Sequence, residues 1–178
     1  MTGNSVCDAR RMFKHACAFS GCAEFCTHEP WDVEHRLPDY TVAGIVNSAF
    51  ACEVFIKSLL IYQGLSIEEI VDAKGRGEHK LRNLWTMLEI KDLQLADLVK
   101  QKVQKLYSHE DDKKFYEMLD NVSNAFVYWR YIYEKSGGKI HTQFLSLFRE
   151  LLKEVCCEKF YNMCWSEYTK GTDNYATG

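Results

Sequence analysis

Residues 40–64 read YTVAGIVNSAFACEVFIKSLLIYQG, a run without proline, with Gly44 near its start and apolar residues on almost every face. A helix that is apolar all round must lie at the centre of a bundle or within a bilayer. Asn47, Ser48, Glu53, Lys57 and Ser58 put more polarity into this run than a membrane span tolerates. The run therefore predicts a central core helix around which the remaining chain is arranged.

The rest of the chain can supply that surround. Its 178 residues fit one domain with room for a real core. Apolar residues make up 47% and only Pro30 and Pro38 interrupt the chain, a combination that favours long helices over turn-rich β structure. Apolar residues recur at helical spacing over 5–27, where Gly21 can bend the helix. The segment THEPWDVEHRLP reads as a loop, Asp39 or Thr41 can cap the core helix, and Gly64 ends it. Ser66 and Glu69 form a capping box, and Asp72–Lys80 is a polar loop. Leu81, Leu84, Trp85 and Leu88 mark a short helix, and Leu95 to Leu106 the next. Ser108 with Asp111 or Asp112 caps a longer one, whose stripe is Phe115, Leu119, Val122, Phe126, Trp129 and Tyr133 before the stop at Gly137-Gly138. A final helix runs about thirty residues from Lys139. No strand pattern competes, so an all-α single domain of five to seven helices is expected over 1–170, followed by a polar tail over 171–178.

The net charge is −3 with both signs interspersed, which excludes the strongly basic footprint of a dedicated duplex-DNA binder but allows a local basic patch. The N-terminal MTGNSVCDARRMFK lacks a signal-type apolar region and no uncharged run is long enough to span a bilayer. A cytoplasmic location with no membrane partner is expected. The eight cysteines then read as reduced, small apolar helix fillers. Cys17, Cys22, Cys26 and His28 match no usual paired-ligand spacing, and Cys156-Cys157 is vicinal, so no metal site is expected. There is no phosphate-loop, nucleophile-elbow or zinc-helix motif, and no cofactor is expected.

Four features could carry chemistry or contacts. Gly44, Asn47, Ser48, Ala51 and Ser58 share one quadrant of the core helix, for tight packing inside the bundle or for a dimer face. Glu53 and Lys57 stand one turn apart on the same helix, where unpaired charge would be costly. Arg76, His79, Lys80 and Arg82 gather cations before a short helix, as a phosphate contact or a solvated loop. The aromatic segment NAFVYWRYIYE carries Arg130 and Glu134. Rings beside an arginine suit single-stranded bases, and the same spacing also suits a core with an internal Arg130–Glu134 ion pair.

Taken in order, these segments resemble the HEPN superfamily. Ala51, Glu53 and Lys57 match an A-x-E-x-x-x-K element, Glu78-His79-Lys80-Leu81 a G-H-x-L-like element, and Trp129-Arg130-Tyr131 an aromatic-Arg-aromatic element. The resemblance spans about residues 40–135. It implies an up-and-down helical bundle, frequent homodimers, and roles in RNA cleavage, nucleotide binding or partnership with a nucleotidyltransferase, including defence and toxin–antitoxin contexts. Ribonucleases of the family resemble one another in an Arg-x(4–6)-His motif on a late helix. Here Arg130 and His141 are separated by ten residues and two glycines, whereas Arg10 and His15 have the spacing on the first helix. On a regular helix Arg10 and His15 point about 140° apart, while Arg11 and His15 share a face. The expectation is a module binding RNA or nucleotide, with Glu53, Lys57, His79, Lys80, Arg82, Arg130 and Glu134 at its site. The alternatives are a metal-independent ribonuclease using Arg10 or Arg11 with His15, and a ligand-free dimeric interaction protein.

Overall fold

The computed structural model describes residues 3–27, 40–72, 80–107 and 111–173. Most of the predicted loop at 27–38, Asp39, Arg76, His79, Ser108 and the end of the tail lie outside the described residues. The helices are α1 (Gly3–Thr27), α2 (Thr41–Tyr62), α3 (Ile67–Asp72), α4 (Leu81–Lys91), α5 (Leu93–Tyr107), α6 (Asp112–Val122), α7 (Ala125–Arg130), α8 (Thr142–Tyr161) and α9 (Trp165–Asp173). A 3-10 turn at Ile132–Glu134 follows α7, and no strand occurs among the described residues. The all-α expectation holds. Six of the helices are eleven residues or longer, and α3, α7 and α9 are short additions.

Helix α2 is the axis of the bundle, with α1, α3, α4, α7 and α8 packed on it. Its mean hydropathy of 1.6 would suit a membrane span, but 72% of its most apolar window is buried against the other helices. The small-residue stripe is used up in this packing. A Cβ on Gly44 would stand 3.3 Å from Cys26 Cβ and 3.4 Å from Thr27 Cγ2, so glycine sets the close approach of α1. Further along, Ser48 accepts a hydrogen bond from Arg149, and Ser58 Oγ lies 3.8 Å from Cys156 Sγ. The stripe is therefore an internal packing face, which corrects its alternative reading as a dimer face.

Local chemistry explains several helix ends. Ser66 and Glu69 form the predicted box, with Ser66 N–H donating to Glu69 Oε2 at 2.6 Å and Glu69 N–H to Ser66 Oγ at 3.1 Å. Gly64 leaves α2 at φ +92°, a conformation that favours glycine. Asp111 caps α6 by accepting from Lys113 N–H at 2.8 Å. Tyr40 occupies the N-cap of α2 and its side chain makes no capping hydrogen bond, while Thr41, one of the two expected caps, is the first residue of the helix. Gly21 lies inside α1 without ending it.

Two expected long helices are broken. The stretch 112–133 divides because Ser123 turns out of α6 to cap α4. Its carbonyl accepts from Leu81 N–H at 3.1 Å and its hydroxyl from Arg82 N–H at 3.0 Å. The C-terminal stretch divides at Asn162, which takes a left-handed φ of 55° and ends α8. The chain then folds back, and Trp165 and Tyr168 of α9 pack on Phe13 with ring centroids 6.3 and 5.8 Å away.

A buried ionic cluster pins α8 to α1 and α2. Arg149 and Lys153 are only 3% and 5% exposed. Arg149 Nη1 donates to Ser48 Oγ at 2.8 Å, and its Nε and Nη2 donate to Glu150 Oε1 at 3.0 and 2.8 Å. Lys153 Nζ reaches Glu24 Oε1 at 3.0 Å and Glu150 Oε2 at 2.5 Å, and sits 4.8 Å from the Trp165 ring centroid. Burial opposes the charge on Glu150, but hydrogen bonding and charge from Lys153, with help from Arg149, hold it below its usual 4.5. Burial likewise opposes the charge on Lys153, and the hydrogen bonds to Glu150 and Glu24 raise it above 10.5. Glu150 thus adds stability that is present above its usual value and fades as pH falls through the lower folded one. Lys153 adds stability that is present below its usual value and fades as pH rises through the higher folded one.

Two outcomes follow for urea unfolding. Arg149→Ala should cost about 3–5 kcal/mol, with Arg149→Met recovering part of it by filling the space without a charge. Acidification below the usual carboxylate value should lower the midpoint of the native protein more steeply than that of Glu150→Gln.

Candidate functional site

Helix α7 ends at Arg130 because Tyr131, at φ −115° and ψ 28°, leads into the 3-10 turn. That ending sorts the aromatic segment. Ala125 and Trp129 go into the core, Phe126 is half-buried, and Arg130, Tyr131 and Tyr133 stay exposed. Tyr133 is therefore not part of a core stripe, contrary to the periodicity. Arg130 and Glu134 form no ion pair, since the loss of helical geometry after Arg130 removes the i,i+4 relation.

Arg130 packs on rings instead. Its guanidinium carbon lies 4.9 Å from the Phe126 centroid and 4.8 Å from that of Tyr131. Packing the flat guanidinium on rings leaves its N–H groups at the edge, free to engage an anion. It opens onto a surface cavity of about 540 Å³ lined also by Lys80, Tyr128, Tyr131, Glu134 and Lys135. Tyr128 forms one wall and is fixed from behind, where its hydroxyl donates to the Gly137 carbonyl at 2.5 Å. A Cβ on Gly138 would stand 2.7 Å from Tyr128 Cε1, so only glycine lets the backbone lie against this ring. Tyr128, Tyr131 and Lys135 were not among the expected site residues. For Tyr128 the available signal was the Gly137-Gly138 pair, which reads as a helix stop and serves as the backing of its ring.

The other expected residues separate. Arg82 is directed to α6, its guanidinium 4.0 Å from the Tyr116 ring centroid and its Nε 3.6 Å from Asp120 Oδ1. It clamps α4 to α6 and does not line the Arg130 cavity. Glu53, 1% exposed, accepts from Lys57 Nζ at 2.8 Å. The pair lines a different groove of about 310 Å³ with Met12, Phe50, Val54 and Ile67. Glu53 and Lys57 are thus not the base of the Arg130 cavity. The two places are linked through rings, since Phe50 of the groove stacks on Phe126, which underlies Arg130, with centroids 4.7 Å apart. His79 lies outside the described residues.

On α1 the three candidates also divide. Arg10 Nε and Nη2 donate to the Phe160 carbonyl at 3.1 and 2.6 Å, and its guanidinium lies over the Tyr161 ring. It satisfies the C-terminal end of α8, a structural task. Arg11 and His15 share the face expected of them and line a cavity of about 230 Å³ with Phe19 and Phe50. Arg11 also pairs with Asp8 at 2.9 Å.

All eight cysteines are free thiols, but they are not all fillers. Cys52, Cys156 and Cys157 are buried, whereas Cys7, Cys22 and Cys164 are exposed. Burial pushes the Cys17 thiol up to about 12 and holds those of Cys52 and Cys156 well above 9.0. Among the described residues no group of three or more His, Cys, Asp or Glu could hold a metal ion.

No protein-family model, curated protein or solved structure matches this chain.

Thiol labelling of the native protein, followed by mass spectrometry, should modify Cys7, Cys22 and Cys164 first. Cys52 and Cys156 should react only once the chain is unfolded, and rapid native labelling of either would contradict the packing described.

Proposed function

We propose that this chain is a HEPN-like helical module that binds nucleotide or single-stranded RNA at the Arg130 cavity and holds it without cleaving it. The observation that carries this reading is the Arg130 guanidinium packed on Phe126 and Tyr131, in a cavity that Arg130 lines together with Lys80 and Lys135. Cations beside accessible rings suit a ligand with phosphates and flat bases. The cations take the phosphate, and Tyr128 or Tyr131 offers a face for stacking. Among the described lining residues there is one carboxylate, Glu134, and no histidine. That set offers no imidazole to move a proton beside Arg130.

Labelled single-stranded RNA and mononucleotides should bind at low salt and weaken as salt rises. Arg130→Ala, in a folded protein, should weaken binding about ten- to a hundredfold, the worth of a hydrogen bond to a charged group. No binding, or binding indifferent to Arg130→Ala, would refute the proposal.

A second reading, ribonuclease, is favoured by one observation: Arg11 and His15 line the same cavity. Histidine would act as acid or base near neutral pH, and arginine would stabilise charge on the phosphate. Toxicity on expression that His15→Ala relieves is the outcome this reading requires. Harmless overexpression with intact total RNA would count against it.

A further inference from the structure

We infer that the Arg130 cavity recognises a terminal phosphate, a phosphomonoester at the end of a nucleotide or strand, rather than an internal phosphodiester. This rests on the nucleotide-binding reading above and narrows its ligand class. Among the described residues lining the cavity, Lys80, Arg130 and Lys135 oppose the single carboxylate of Glu134. Elsewhere cations such as Arg82, Lys100 and Lys153 are matched with carboxylates at 3.6 Å or less. None of the three cavity cations has such a partner among the described residues, and Glu134 pairs with none of them. Two positive charges are therefore left over around one cavity. A phosphomonoester carries about −1.5 to −2 at neutral pH and presents three acceptor oxygens. An internal diester carries a single charge and could not neutralise the set.

The shape of the cavity agrees with the charge. On the Tyr128 side the ring is backed by Gly138, which has no space for a methyl group against it, and the ring's hydroxyl is held by the Gly137 carbonyl. A strand end can rest against that ring. Lys135 lies on the segment that backs the ring and also lines the cavity, so Tyr128, Gly137 and Gly138 help to place it. They are positioning residues, and Lys80, Arg130 and Lys135 are the contacts.

The test compares short single strands of one sequence ending in phosphate or in hydroxyl, together with a nucleoside monophosphate and its nucleoside, by fluorescence-anisotropy competition. Removing the terminal phosphate should weaken binding by roughly tenfold or more. Lys135→Ala should narrow that gap while leaving the unfolding midpoint unchanged. Gly138→Ala, which displaces Tyr128, should narrow it as well. Equal affinity for phosphate and hydroxyl ends would overturn this inference and leave the nucleotide-binding proposal standing. A preference for phosphate ends that neither Lys135→Ala nor Arg130→Ala reduces would also overturn it. Absence of binding by every strand and nucleotide would overturn both.

Discussion

The structure depends on enclosing one helix. Helix α2 is apolar on nearly all its faces, and each large aliphatic or aromatic side chain buried from it contributes about 1.5–3 kcal/mol. That gain is realised only where other helices cover α2, and α1, α4, α7 and α8 cover most of its surface. Enclosure in turn requires that every polar group on α2 find a partner. Ser48 has Arg149, Glu53 has Lys57, and Ser58 donates to the Phe55 carbonyl at 2.7 Å. The buried charges of α8 follow from the same demand. Arg149 reaches a hydroxyl on α2, and Lys153 and Glu150 connect it to Glu24 on α1.

The core helix also reaches the candidate site, through rings. Phe50 on α2 stacks on Phe126, and Phe126 underlies the guanidinium of Arg130 one turn later. Helix α7 is short enough to deliver Arg130 to the surface because Ser123 breaks the chain just before it, in order to cap α4. Lys80 begins α4 at that same junction. The capping of one helix therefore helps bring Lys80 and Arg130 to one cavity.

What could be read from the residues, and what could not, divides along local and tertiary causes. Helix α2, the Ser66–Glu69 box and the Gly64 stop arise from local patterns, and they are where periodicity and capping rules put them. The break at Ser123 has no glycine or proline to announce it, since its cause is two hydrogen bonds to residues about forty positions away. Asn162 did carry a usable signal, as asparagine tolerates the left-handed conformation, but the apolar period runs on past it. Within the site, Arg130, Lys80 and Glu134 were identifiable from residue type. Convergence of Glu53 and Lys57 with them was not met, because helix rotation turns those two onto the groove beside Met12. The buried pair Arg149 and Lys153 was missed entirely, since charged residues on an amphipathic helix ordinarily face water.

The central claim is that Arg130 and its neighbours form the ligand site, and nuclear magnetic resonance of the labelled protein tests it most directly. On titration with a nucleoside monophosphate, the signals of Lys80, Tyr128, Arg130, Tyr131 and Lys135 should move together and saturate, while those of Arg11 and His15 stay in place. Changes confined to the Arg11–His15 cavity, or no saturable change at all, would contradict the account.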